Sequence, residues 1–143
     1  LASIAEGIRD LLVTAGVGTF NASSGWSINI GRSPVTPDTI ILITETGGLP
    51  SNPAYLLDFP NVQVKVRGNA SGYLAALNKM HEVNDVLLGL PSQDVNGDRW
   101  DSITQLTNVA HLGYSENQQP LFAGNYALIV EPASSPLTNR IPL

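Results

Sequence analysis

The sequence contains no cysteine. That excludes disulfides, thiol catalysis and any cysteine-ligated metal. Charge is scarce as well. Only 13% of the 143 residues are Asp, Glu, Lys or Arg, about half the share of roughly 25% usual in globular domains. Seven Lys plus Arg stand against twelve Asp plus Glu, for a net charge of −5. This balance argues against a nucleic-acid-binding surface, which needs a clustered positive field. Long apolar runs are also missing. Ile40-Ile41-Leu42-Ile43 and Ala127-Leu128-Ile129-Val130 are far shorter than the about 20 residues of a membrane-crossing helix.

What is present is a hydrophobic fraction of 43%, enough for one core in a chain of one domain's length. With 13 Gly and 10 Pro, the surface is left to Ser, Thr, Asn, Gln and exposed backbone. A free monomer ordinarily covers itself with Lys and Glu, whereas interface cores are depleted of charge. The composition therefore points to a chain that works inside an assembly.

Ser3-Ile4-Ala5-Glu6 has the form of a capping box. Ile4, Ile8, Leu11, Leu12 and Ala15 follow at helical spacing, so a helix of about four turns is expected before Gly16. Trp26, Ile28 and Ile30 alternate with polar residues and read as a strand with one buried face. A second strand runs from Thr39 to Thr44. Its core is apolar on both faces, which demands cover on both sides, from its own helices or from a neighbouring subunit. Glu45 to Pro60 carries two Gly and three Pro and reads as a long loop. Val62, Val64 and Val66 alternate with Gln63, Lys65 and Arg67 in the cleanest strand of the sequence. A second helix should begin near Ser71, with Leu74, Leu77, Met80, His81, Asn84, Leu87 and Leu88 along its packed side. Asn96-Gly97 marks a hairpin, Trp100 to Ala110 a bulged strand, and Phe122 to Val130 the last strand. The fold class expected is α+β: a single layer of mainly antiparallel mixed β-sheet with two helices packed on one face. Residues 1–131 form the domain, and Pro132 to Leu143 a Pro-rich C-terminal arm.

No constellation for catalysis emerges. His81 and His111 have no second ligand at metal spacing, and His81 reads as a partly buried residue of its helix. Asp94-Val95-Asn96-Gly97-Asp98 opens like a calcium loop. Such a loop needs Gly at its sixth position and Glu at its twelfth, where Arg99 and Gln105 stand. Gly16-Val17-Gly18 and Gly47-Gly48 lack the setting and the lysine of a phosphate loop. Ser24, Ser33 and Ser51 have no elbow motif and no partner base. No enzyme, cofactor or metal is expected. Lys65 and Arg67 share one strand face, as a solvated stripe or as cations that meet Asp58, Asp94 or Asp98 of another subunit.

Three stretches resemble the tail terminator proteins of long-tailed bacteriophages, a group also labelled minor capsid protein. The first comprises Ile28-Asn29-Ile30-Gly31-Arg32, Pro34, Pro37-Asp38, Ile40-Ile41-Leu42 and Thr46-Gly47-Gly48. The second is Pro60-Asn61-Val62-Gln63-Val64-Lys65-Val66-Arg67-Gly68 with Tyr73. The third is Asn96-Gly97, Arg99-Trp100, Ile103, Leu112 to Asn117, Pro120-Leu121-Phe122 and Asn125-Tyr126. They follow the family's order over most of the chain, and the arm lies outside the resemblance. The resemblance implies a structural virion protein that forms a homohexameric ring on the head-proximal end of the tail tube. Such a ring ends tube polymerisation and joins the tail to the head-completion or neck protein, at the head–tail junction of a virion assembled in the host cytoplasm. Double-stranded DNA passes through its lumen without specific binding, and no membrane is involved. The alternatives are a neck stopper, a tail-tube subunit or a non-viral adaptor monomer. The residues expected at the subunit or partner interface are Arg32, Ile41, Ile43, Gly47, Gly48, Pro50, Asp58, Lys65, Arg67 and Arg99. Gly47 to Pro53 is expected to reach a neighbour and to order only on assembly.

Overall fold

Ser3 starts the first helix. In the computed structural model, which describes all 143 residues, α1 spans Ile4–Thr14 and the Ser3 hydroxyl accepts the Glu6 amide at 3.3 Å. The helix is therefore three turns long rather than four. The reciprocal bond from Glu6 to the Ser3 amide does not form, and a carboxylate from elsewhere in the chain joins the cap. Glu6 turns to Arg9, at 3.6 Å. The Glu45 carboxylate instead accepts the Ser3 hydroxyl at 3.1 Å and the Ala5 amide at 3.3 Å. A negative charge thus sits at the positive end of the helix.

Seven strands and a second helix follow: β1 (Thr19–Phe20), β2 (Ser27–Ile30), β3 (Ile40–Leu49), β4 (Phe59–Arg67), α2 (Tyr73–Leu87), β5 (Gln93–Val95), β6 (Asp98–Tyr114) and β7 (Pro120–Glu131). They form one sheet in the order β1-β2-β3-β4-β7-β6-β5. β1, β2 and β3 pair parallel, and the remaining neighbours pair antiparallel. The class is α+β, as expected. β4 lies at the centre. Val62, Val64 and Val66 are fully buried in one cluster with Ile4, Ile8 and Leu12 of α1 and Ala76, Met80, Val83 and Leu87 of α2. Phe122, Tyr126, Leu128 and Val130 of β7 complete the cluster.

Two expectations are corrected here. α2 does not bury Leu74 or His81: Leu74 is 68% exposed and His81 faces solvent. The buried stripe is Ala76, Met80, Val83 and Leu87, whose spacings of 4, 3 and 4 track 3.6 residues per turn more closely. Ala76 sets the phase. A methyl placed on Gly68, at the end of β4, would stand 2.8 Å from the Ala76 Cβ. Only two small residues permit that approach. Asn84, half-buried, accepts the hydroxyl of Tyr126, and burial pushes the Tyr126 pKa well up.

The expected loop from Glu45 to Pro60 is mostly strand. β3 runs on to Leu49, pairing Gly47 with Asn61, Gly48 with Pro60 and Leu49 with Phe59, after a register slip beyond Glu45. The connection shrinks to residues 50–58. Gly47 and Gly48 permit this because their φ values, +97° and +122°, are ones that side chains disfavour. The first part of the Gly47–Pro53 segment thus has local backbone partners within the protomer, where an unpaired loop is expected.

The Asn96-Gly97 turn joins β5 to β6 with φ values of +50° and +89°, as such a hairpin requires. Asp98 beyond it is 3% exposed. Its carboxylate accepts the Ala2 amide at 2.7 Å and the Ala133 amide at 2.8 Å, which draws both ends of the domain to one point. β6 slips register against β7 at four places, so the single expected bulge becomes a series.

A glycine pair offers a test. A Cβ on Gly48 would lie 2.1 Å from the Phe59 carbonyl oxygen, whereas one on Gly47 meets open space. Gly47→Ala should cost about 1–2 kcal/mol from φ alone, and Gly48→Ala at least about 3 kcal/mol because backbone must move. Thermal melts of the two variants should rank in that order.

Candidate functional site

The ten interface candidates separate into four groups. Ile41 and Ile43 are fully buried within the core cluster, so no neighbour reaches them. The protomer's own helices cover that side of β3, because its pleat aims both side chains into the core. Asp58 is 5% exposed and bonded to Arg140 at 2.7 and 3.4 Å. Arg99 is held across the β5–β6 hairpin by Asp94 at 3.4 Å. Asp58, Asp94 and Asp98 are not free charges in the protomer. Each already has a partner inside the chain. Gly47, Gly48 and Pro50 lie exposed at the tip of the β3–β4 hairpin. Lys65 and Arg67 line one cavity, and Arg32 precedes Ser33 of its wall.

That cavity, about 220 Å³, lies on the side of β3 and β4 opposite Ile43 and Val64. Ile40, Leu42 and Leu121 form its apolar wall; Lys65, Arg67, Ser33 and Ser115 supply polar groups. Arg67 is built into its frame. The Nε group donates to the Asp38 carbonyl at 3.0 Å, and Nη1 donates to the Ser33 hydroxyl at 3.2 Å. The Nη2 group reaches the carbonyls of Pro34 at 2.9 Å, Val35 at 3.2 Å and Pro37 at 2.8 Å. One guanidinium thus shapes the Ser33–Asp38 segment, which Gln119 ties again through the Asp38 carboxylate at 2.8 Å. Burial lowers the Arg67 pKa, and the Asp38 charge works against that shift. The side chain of Lys65, half-buried beside Arg67, makes no hydrogen bond or ion pair in the protomer. Arg32 stands exposed, next to Ser33.

Two further features were not read from the sequence. The first is the anchoring of the arm. Arg140 donates to the Asn52 and Tyr55 carbonyls at 3.1 and 3.3 Å besides Asp58. Ile141 exchanges backbone bonds with Ala54 and Leu56. The arm therefore lies along the 50–58 connection. Burial by itself would raise the Asp58 pKa, but hydrogen bonds from Arg140 and Ser51 and the Arg140 charge outweigh it and hold the carboxyl low. The second is an apolar cavity of about 460 Å³ lined by Leu49, Phe59, Leu106 and Ile129 with Asn61 and Thr104. Its signal was present in β7, where Leu121, Ala127 and Ile129 make the second pleat phase apolar as well. His111 joins no polar site. It packs edge-on between Tyr73 and Tyr114, ring centres 5.2 Å away, and against Phe122 at 5.0 Å.

A family model described as bacteriophage tail terminator protein matches residues 11–132, so the match stops where the arm begins. Among solved structures, a chain from the virion of a native gene transfer agent particle superposes with a TM-score of 0.68 at 14% identity. The match covers 90% of this chain and 95% of that one. At that identity the likeness is one of fold. No curated protein matches the chain in sequence.

Arg67→Ala should free the Ser33–Asp38 segment. Its loss of several bonds from a charged donor should cost about 2–3 kcal/mol. Hydrogen exchange of the residue 33–39 amides should rise well above the global unfolding rate. Asp58 makes a pH-dependent prediction. The folded carboxyl has the lower pKa, so its stabilisation is fully present above the unfolded value of 3.8 and fades as pH falls through the folded value. Asp58→Asn should lower the melting temperature at pH 7 and flatten its decline below about pH 4.

Proposed function

The chain belongs to the bacteriophage tail terminator family and is a structural protein of the phage tail, and from that premise we propose that six copies close into a ring on the head-proximal end of the tail tube. The ring ends tube growth and offers the head-completion protein its docking surface, at the head–tail junction of a virion assembled in the host cytoplasm. The observation that carries this reading is the family match across residues 11–132. The protomer's build is compatible with it. We read the sheet as a single, mainly antiparallel layer with both helices on one face and the Lys65–Arg67 cavity on the other. Two unlike faces on one protomer are what a closed heterologous ring needs.

Within this reading, Gly47, Gly48 and Pro50 at the hairpin tip, with Arg32, Lys65 and Arg67, are the surface candidates for contacts with the next copy or the tube. Residues 132–143 act as an arm that braces the tip from within the same chain. Six copies at −5 carry about −30 formally. A net anionic ring attracts DNA weakly, which suits a lumen that DNA must traverse. The scarcity of surface charge follows from the same arrangement, since neighbours cover much of the exterior.

The test is assembly. Purified protein, alone and added to polymerising tube protein, should give a species of six subunit masses by mass photometry. By electron microscopy it should cap one end of shortened tubes. Indefinite polymerisation of the protein by itself would make it a tube subunit. Unchanged tube lengths with a persistent monomer would overturn the proposal.

A further inference from the structure

The chain has so few charges that each can be followed, and most have a partner within the protomer. Of the seven cations, Arg9, Lys79, Arg99 and Arg140 are in ion pairs, and Arg67 is bonded to backbone carbonyls. Only Arg32 and Lys65 have no partner in the protomer. Among the twelve carboxylates, Glu6, Asp10, Asp58, Glu82 and Asp94 are in those same ion pairs. Glu45 and Asp98 hold amides, Asp38 accepts from Gln119, and Glu131 lies across the strand pair from Arg99, with Asp101 beside it. Asp85 and Glu116 are left over, both exposed.

We infer that the Lys65–Arg67 cavity is one half of the joint between subunits, and that it receives the Asp85 carboxylate of the neighbouring copy. The inference rests on the ring reading above and gives that ring a specific contact. The cavity suits such an occupant. Its volume of about 220 Å³ admits a short acidic side chain, and the walls of Ile40 and Leu42 would exclude water around the pair. The Ser33 hydroxyl already accepts from Arg67, so its own proton is free to donate to an incoming carboxylate.

A heterologous contact joins two different patches, which discriminates between the two free acids. Glu116 follows Ser115, a residue of the cavity wall itself, and so borders the acceptor patch. Asp85 lies on α2, on the helix side opposite the buried stripe of Met80, Val83 and Leu87. It also stands in the last turn of α2, where no basic residue is present and the helix dipole disfavours a carboxylate. A cation from outside the chain would relieve both conditions. On the same outward side stands Leu74, 68% exposed.

The absence of cysteine makes the test clean. A Lys65→Cys, Asp85→Cys double variant, assembled and treated with a short bismaleimide, should give a covalent ladder up to the ring. An equal mixture of the two single variants should stop at dimers. In parallel, Lys65→Glu and Asp85→Lys should each raise the concentration needed for assembly at least about tenfold, and the charge-swapped double variant should restore it. Lys65→Met, which keeps the length and the fold, should weaken assembly in the same direction if Lys65→Glu misfolds. A wild-type ring with no ladder and no effect of these substitutions would overturn this joint while leaving the ring intact. A ladder from Lys65→Cys with Glu116→Cys in place of Asp85→Cys would overturn the choice of occupant. A wild type that stays monomeric even with tubes would remove the ring, and the joint with it.

Discussion

The two-residue pleat of β4 is the constraint on which the rest of this molecule depends. Val62, Val64 and Val66 go to one side and are fully buried; Gln63, Lys65 and Arg67 must go to the other. The first set receives both helices and the inward side chains of β7, and so makes the core. The second set receives no such cover, and it carries the cations that shape the cavity. Because β4 pairs with β3 on one edge and β7 on the other, its phase is imposed on both neighbours. A slip of one residue would bury Lys65 and Arg67 among the helices and expose three valines.

Charge in this protein fastens more than it solvates. Glu45 closes the cap of α1 across 42 positions of sequence. Asp98 gathers the amides on either side of the domain. Asp58 and Arg140 pin the arm to the hairpin connection, and Arg67 holds a whole segment through its carbonyls. A half-buried group of this kind strengthens the fold because its partner is pre-positioned and little water remains to compete. The low charged fraction acquires two meanings in consequence. Most charges are spent within the protomer, and the few that are not stand out.

How much of this was legible in the sequence varies by element. The Ser3 cap, the Asn96-Gly97 hairpin and the valine alternation of β4 were legible because each is governed by neighbours a few residues away. The α2 stripe was misjudged because Leu74 and Leu77 outweighed Ala76 in apolarity, while the packing depended on smallness beside Gly68. The extent of β3 was missed because Gly and Pro read locally as a loop, whereas pairing with Phe59–Asn61 holds Gly47 to Leu49 in the sheet. Among the candidate site residues, Lys65 and Arg67 are legible by charge and line one cavity, while Arg32 is exposed beside its wall. Ile41 and Ile43 were named for an apolarity that the chain itself satisfies. Asp58 and Arg99 were named as free charges, and their partners Arg140 and Asp94 emerged only from the fold.

By itself the sequence determined the α+β class, the strand phases, most helix and turn boundaries, and the resemblance to the tail terminator family, which the family match bore out. All of these are set by local spacing or by the order of short motifs along the chain. Only the tertiary structure decided which charges are free and which are held, since that turns on contacts between residues as far apart as Asp58 and Arg140 or Ala2 and Asp98. A side chain's type states what it can bond. Whether that capacity is already used depends on what the folded backbone brings within about 3 Å of it.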